Sequence, residues 1–273
     1  MSESSLFPGF LRDDISTTGA TIRTVRAGSG PPLLLLHGYP QTHVIWHKIA
    51  RRLAENFSVV LTDLRGYGDS SKPERGERHQ NYSFRAMAQD QLEVIRHLGH
   101  ERFYVASHDR GARAAHRLCL DHPDAVRRVC FMDIVPTLRM YRDTSMEFAT
   151  KYMWWFFLIQ KAPLPERMIG ADAEFFLDFH FQVQNATPGA LTAEALEEYR
   201  RCFCTPETIH ASCRIIGRLQ ASTSRWMTLM RRLDVKSRLR FSHCGAQRVR
   251  SGSSGTCSKS GASTRMRRWQ GGL

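Results

Sequence analysis

The 273-residue chain is predicted to be an α/β protein, a mostly parallel, doubly wound sheet carrying an inserted helical cap. Three observations predict it. Short apolar runs of strand length alternate with segments of helical character as far as Pro136. His37, Asp109 and Asp133 each follow directly on such a run, where doubly wound sheets bind their ligands. From Thr137 the rhythm changes, and only helical material follows to residue 213. The divisions so read are an α/β core over 1–136, a helical cap over 137–213 and a basic tail over 214–273.

Taken in order, Ala20 to Arg26 alternates like an edge strand and is turned by Gly28-Ser29-Gly30-Pro31. Leu33 to Leu36 is a continuous apolar run, as expected of a strand buried on both faces. It ends in His37-Gly38-Tyr39-Pro40, a loop able to aim backbone N–H groups at a reacting oxygen. Trp46 to Glu55 is expected to be helical, with Ile45, Ile49 and Leu53 on one face. Phe57 to Asp63 is the next strand, and Asp63 is read as pinning the glycine loop behind it rather than as a catalytic acid. Ser83 caps a helix running to Leu98. Phe103 to Ala106 and Val126 to Met132 are strands, the second ending in Asp133-Ile134-Val135-Pro136. In the cap, residues 146–157, 174–183 and 191–201 read as helices, with Thr192 as an N-cap. Trp154 and Trp155 are adjacent, so one is expected to face the core and the other the cleft.

Ser107-His108-Asp109-Arg110-Gly111 sits between a strand and a helix. Small residues at 107 and 111 let a tight turn form, and the middle residue stands at a helix N-terminus, where negative charge is favoured. This is a nucleophile elbow whose nucleophile is a carboxylate. A carboxylate attacks saturated carbon, giving an ester that must then be hydrolysed. An ordinary helix-capping aspartate is the alternative, and the elbow by itself leaves the two even.

The formal charge of +13 suggests a nucleic-acid or membrane partner only until the chain is divided. Residues 214–273 hold 14 Lys and Arg and one acid, Asp234, leaving 25 basic and 25 acidic residues in 1–213. The tail has little apolar periodicity after Leu233. In a frame where each codon begins on the third base of the old one, Arg214 to Ala221 permits D-Y-R-A-A-A-S. Ser237 to Arg248 then permits T-A-P-L-L-A-L-W-G-A-K-G, and Ser254 to Thr264 permits W-D-V-L-E-E-W-R-E-H-A. A strand and an amphipathic helix hidden there point to a frameshift near Cys213, which resequencing the gene tests. Seven cysteines (119, 130, 202, 204, 213, 244, 257) have no framework or zinc spacing. No metal and no cofactor is expected. With no apolar leader and no 18-residue apolar run, neither nucleic acid nor membrane is an expected partner, and the protein is expected to be cytoplasmic.

His37-Gly38-Tyr39-Pro40, Asp63-x-Arg65-Gly66-x-Gly68-x-Ser70, the elbow with Arg113, Asp133-Ile134-Val135-Pro136 and Tyr152-x-x-Trp155-Phe156-Phe157 together resemble the haloacetate (fluoroacetate) dehalogenases. These are capped α/β-hydrolases, often homodimers, and the resemblance spans about residues 5–213. It implies that Asp109 displaces halide from a haloacid and that Arg110 and Arg113 hold its carboxylate. Asp133 would orient a general-base histidine, Trp155 would donate to the halide, and backbone N–H groups near Tyr39 and Arg110 would line the oxyanion site. Two cations beside an anionic nucleophile suit an anionic substrate and not a neutral epoxide. Two departures matter. Trp154 stands where the family has a halide-site histidine, so chloro- and bromoacetate are expected to be preferred over fluoroacetate. The family's halide-site tyrosine and base histidine belong after residue 213, and His180, His210 and His243 are read as cap or tail residues. Ester hydrolysis is therefore expected to be impaired.

Overall fold

The computed structural model describes residues 6–74, 77–185, 187–215 and 242–243. Strands β1 (Leu11–Ser16), β2 (Thr21–Ala27), β3 (Pro32–Leu36), β4 (Ser58–Thr62), β5 (Phe103–His108), β6 (Val126–Met132) and β7 (Ser242–His243) form one sheet in the order β1-β2-β4-β3-β5-β6-β7. From β4 to β7 all neighbours are parallel, while β1 and β2 are antiparallel additions. The expectation of an edge strand at Ala20–Arg26 is corrected: β1 pairs outside it. Leu11-Arg12-Asp13-Asp14-Ile15-Ser16 is too charged to announce itself as a strand, and its ladder partners supply the signal that propensity lacks. Beyond β6 the two residues of β7 pair in parallel, so that edge is covered at Cys130 and Phe131.

Leu34, Leu35 and Leu36 are fully buried at the sheet's centre, each stabilising the fold by roughly 2 kcal/mol. Helices α1 (His47–Ala54), α2 (Phe84–His97) and α3 (Asp109–Asp121) connect the parallel strands. Ser83 and Thr192 cap their helices as expected, accepting from Ala86 N and Ala195 N. The expected helix from Trp46 is preceded by a 3-10 turn, His43–Trp46, which rotates the register. Ala50 faces the core instead, and Ile49 is exposed. After β6 come α4 (Thr137–Arg142), α5 (Met146–Lys151), α6 (Met153–Phe157), α7 (Leu164–Ala171), α8 (Ala173–Gln184) and α9 (Ala193–Phe203), with residues 206–215 also helical. The single helix expected over 146–157 is broken at Tyr152, the shared C-cap of α5 and N-cap of α6. The tail boundary at 213/214 falls within the last helical segment, which continues through Arg214 and Ile215; the rest of the tail on which the frameshift reading rests lies outside the described residues apart from 242–243.

Asp63 does not reach the cleft. Its carboxylate accepts from His43 N at 2.7 Å, His43 Nδ1 at 2.8 Å and Asp69 N at 2.9 Å, tying the turn after β3 to the glycine loop after β4. Burial works to raise its pKa, but the His43 imidazole holds the carboxyl well below the ordinary range. Asp63→Asn removes this charge from a fully enclosed set of donors, so we expect a loss of about 2 kcal/mol in urea unfolding. An unchanged midpoint would contradict the role.

Candidate active site

The parallel strands β3, β5 and β6 end on one side of the sheet, and the helices after β6 roof that side. Between floor and roof lies a cavity of about 550 Å³. Its floor includes Tyr39, His108, Asp109, Arg110 and Asp133, and its roof includes Trp154, Trp155 and His180.

The elbow brings Asp109 to the floor. The residue has φ of +43°, a left-handed conformation that costs a non-glycine residue energy and turns its side chain out of the strand-to-helix corner. Two close approaches make the corner possible. A Cβ on Gly111 would stand 2.5 Å from His37 O, which itself accepts from Gly111 N at 2.8 Å. A Cβ on Gly38 would stand 2.6 Å from Asp109 Cβ. That glycine lets the β3 loop lie against the elbow, where Tyr39 N donates to Asp109 Oδ1 at 2.9 Å. Burial pushes the Asp109 pKa up, but Arg110 first, then His108, Arg113 and the Tyr39 N–H outweigh it. The carboxyl sits below its ordinary range and is ionised at neutral pH. An ionised, desolvated carboxylate facing a cavity has the chemistry a nucleophile needs.

Arg110 is 2% exposed. Its guanidinium lies over the Tyr39 ring at 5.2 Å and the Trp155 ring at 5.7 Å. Its Nε and Nη1 have no hydrogen-bond partner among the described residues. Arg113 lies over the Trp155 ring at 4.4 Å and donates to Thr137 Oγ1, so it backs the tryptophan rather than lining the cavity. His37 is likewise buried beneath the floor. Its Nε2 accepts from Leu64 N at 3.0 Å and burial lowers its pKa, so the ring is a neutral strut for the loop that carries Gly38 and Tyr39.

Asp133, with φ of +49°, stands at the end of β6 and is mostly exposed. Among the described residues the imidazole of His108 approaches it, with Nε2 4.0 Å from Asp133 Oδ2, beyond hydrogen-bond reach. The expected division of labour between the two tryptophans is corrected: both are buried and both line the cavity. In the short α6, Trp155 turns toward the arginines and Trp154 packs edge-on against His180 at 4.6 Å. His180 is the side chain that sequence reasoning missed. It is set on α8 amid phenylalanines, a pattern that reads as a packed helix face, and nothing local tells that it points into a cleft. Lys48 was missed for a similar reason: it lines the cavity from α1 and ties down the cap through Gly189 O and Ala190 O at 2.7 and 2.8 Å.

Among the described residues, no group of three or more His, Cys, Asp or Glu side chains is placed to share a metal ion, and no helix is long and apolar enough to cross a membrane.

Comparison with known proteins gives four likenesses. A family model described as the α/β hydrolase fold matches residues 31–223. A fluoroacetate dehalogenase of a Burkholderia species is 47% identical over 209 residues, covering 76% of this chain and 69% of that protein. A soluble epoxide hydrolase of Corynebacterium sp. (strain C12) is 33% identical over 198 residues, covering 71% and 68%. Among solved structures, one from Nostoc sp PCC 7120, described as an α/β hydrolase, superposes with a TM-score of 0.80. It shares 53% identity, over 82% of this chain and 78% of that one.

Proposed function

Because the chain belongs to the α/β hydrolase fold family, and within it to the haloacetate dehalogenases, we propose that its site takes a 2-haloacid and displaces halide with Asp109. An Asp109 carboxylate oxygen forms a bond to Cα as the carbon–halogen bond breaks, and the bonding pair leaves with the halide. Water then adds to the Asp109 carbonyl carbon of the ester, the substrate's hydroxyl oxygen departs with one of the water's protons, the other is lost to solvent, and the carboxylate is restored with release of a 2-hydroxy acid. During this second step the Tyr39 N–H, already on Asp109 Oδ1, is placed to carry negative charge on that oxygen.

One observation carries the reading. Arg110 is an almost fully buried cation with unpartnered N–H groups beside an ionised carboxylate. Such a group calls for an anion in the cavity. A haloacid carboxylate supplies it, whereas the epoxide suggested by the Corynebacterium likeness leaves it unpaired. Arg113 would act on the carboxylate through field alone, from behind Trp155.

The second step is impaired in this proposal. Its general base would be a histidine bonded to Asp133, and among the described residues His108 approaches only to 4.0 Å. Incubation with bromoacetate should therefore add one carboxymethyl group per chain, mapped to Asp109 and removed by hydroxylamine, as an ester is and a cysteine thioether is not. Continued release of glycolate would contradict the impairment. Labelling confined to cysteines would contradict the nucleophile. With Trp154 at the halide site, chloro- and bromoacetate should react faster than fluoroacetate. A homodimer belongs to the same reading, since α8 presents Phe175, Phe179 and Val183 to solvent. Light scattering that shows monomer alone at micromolar concentration would remove it.

A further inference from the structure

His180 is a buried polar residue in the roof of the cavity, 6% exposed, on the middle of α8. Aromatic rings hold it on several sides: Trp154 at 4.6 Å, Tyr39 at 5.3 Å and Phe181 at 6.1 Å, all in edge-to-face arrangement. Its Nδ1 has no hydrogen-bond partner among the described residues. A polar nitrogen buried without a partner is costly to the fold, and the ring lines the same cavity as Asp109 and Arg110.

In-line displacement fixes where its partner must come from. Asp109 attacks from the floor, so the bond that breaks points away from the floor, toward the cap. The substrate carboxylate stays low, on Arg110. Negative charge that develops in the transition state therefore grows beneath α6 and α8. Trp155 has a ring face taken by Arg113 at 4.4 Å and stands nearer the arginines, while Trp154 offers its edge to His180. We infer that His180 is a hydrogen-bond donor to the departing halide, a residue of this chain's own cap that contacts the leaving group. The inference rests on the haloacid reading above. Burial keeps the ring neutral, so it carries one N–H and does not compete with Arg110 for the carboxylate. A neutral donor of this kind helps most the halide that holds its charge most compactly.

The test uses the full chain and follows single alkylation of Asp109 by intact mass, with chloroacetate, bromoacetate and iodoacetate. His180→Leu should slow chloroacetate by about tenfold or more and iodoacetate by less than about threefold. His180→Gln, which retains an N–H, should recover most of the chloroacetate rate. Equal slowing for all three halides, or a glutamine variant no better than leucine, overturns the inference. Should the leucine variant not fold, isotopically labelled histidine decides: the His180 ring signal, identified by its loss in His180→Gln, must move on titrating chloride into wild type. A signal that stays still overturns the inference as well. Failure of wild type to be alkylated at Asp109 by any haloacetate sinks the haloacid reading together with this one. Alkylation indifferent to His180 sinks this one alone.

Discussion

Arg110→Met is expected to slow alkylation of Asp109 by chloroacetate by about a thousandfold while changing the reaction of chloroacetamide far less. Truncating one partner of a buried, hydrogen-bonded charge pair costs roughly 2–5 kcal/mol, and about 4 kcal/mol corresponds to a thousandfold in rate. The amide shares the leaving group and the carbon under attack but lacks the charge, so the ratio of the two rates isolates what the guanidinium does for a carboxylate. Part of the loss would come through Asp109 itself, since Arg110 is the largest influence holding its pKa down. That part acts on both substrates and cancels in the ratio. Rates that fall together would mean that Arg110 only poises the nucleophile, and the site would then be open to uncharged electrophiles such as epoxides.

The same substitution should not unfold the protein. Arg110 is buried with Nε and Nη1 unpartnered and with its guanidinium over the Tyr39 and Trp155 rings. Replacing it with a flexible apolar side chain removes a desolvated charge and keeps the ring contacts. A buried charge that the fold does better without is the pattern expected where binding, not stability, explains a residue's presence.

The sheet and its order of events were legible because each buried strand is a compact apolar run, Leu33–Leu36 most plainly. The strand-to-helix turn that carries Asp109 was legible because strand, small residues and helix follow closely on one another. What was hidden is what depends on distant partners. β1 is charged and exists by pairing with β2. Trp154 and Trp155 are adjacent, which reads as one facing the core and one the cleft, yet both lie in the short α6 and both line the cavity, because the roof here is set by how α6 lies over the strand ends. Arg110 and Arg113, three residues apart on one helix, look alike in sequence, yet one lines the cavity and the other backs a tryptophan. His180 could be found only once α8 had been laid over the strand ends.

His180 also makes stability depend on pH in a way that can be separated from the halide contact proposed for it. Burial lowers its pKa from an ordinary 6.5 to about 4; Asp109 pulls the other way and Arg110 reinforces the depression. Between those values the unfolded chain binds a proton that the folded chain refuses, so stability falls on acidification. The contribution is fully present above pH 6.5, declines toward pH 4 and is exhausted below it. At 1.36 kcal/mol per unit the decline is about 3 kcal/mol for this one residue. His37 and His116 are lowered by burial as well and add to the fall below pH 6.5. Asp63 and Asp109 have depressed pKa values, so their contributions are lost only as pH drops below the ordinary carboxylate range, outside this window. His180→Gln cannot titrate. Urea unfolding at pH 7 and at pH 4.5 should therefore show wild type losing more stability than the variant, by about 2–3 kcal/mol over that span. Curves that fall in parallel would mean that the ring takes up its proton in the folded state at an ordinary pH. It would then be a cation in the roof, able to draw the substrate carboxylate upward and away from Arg110.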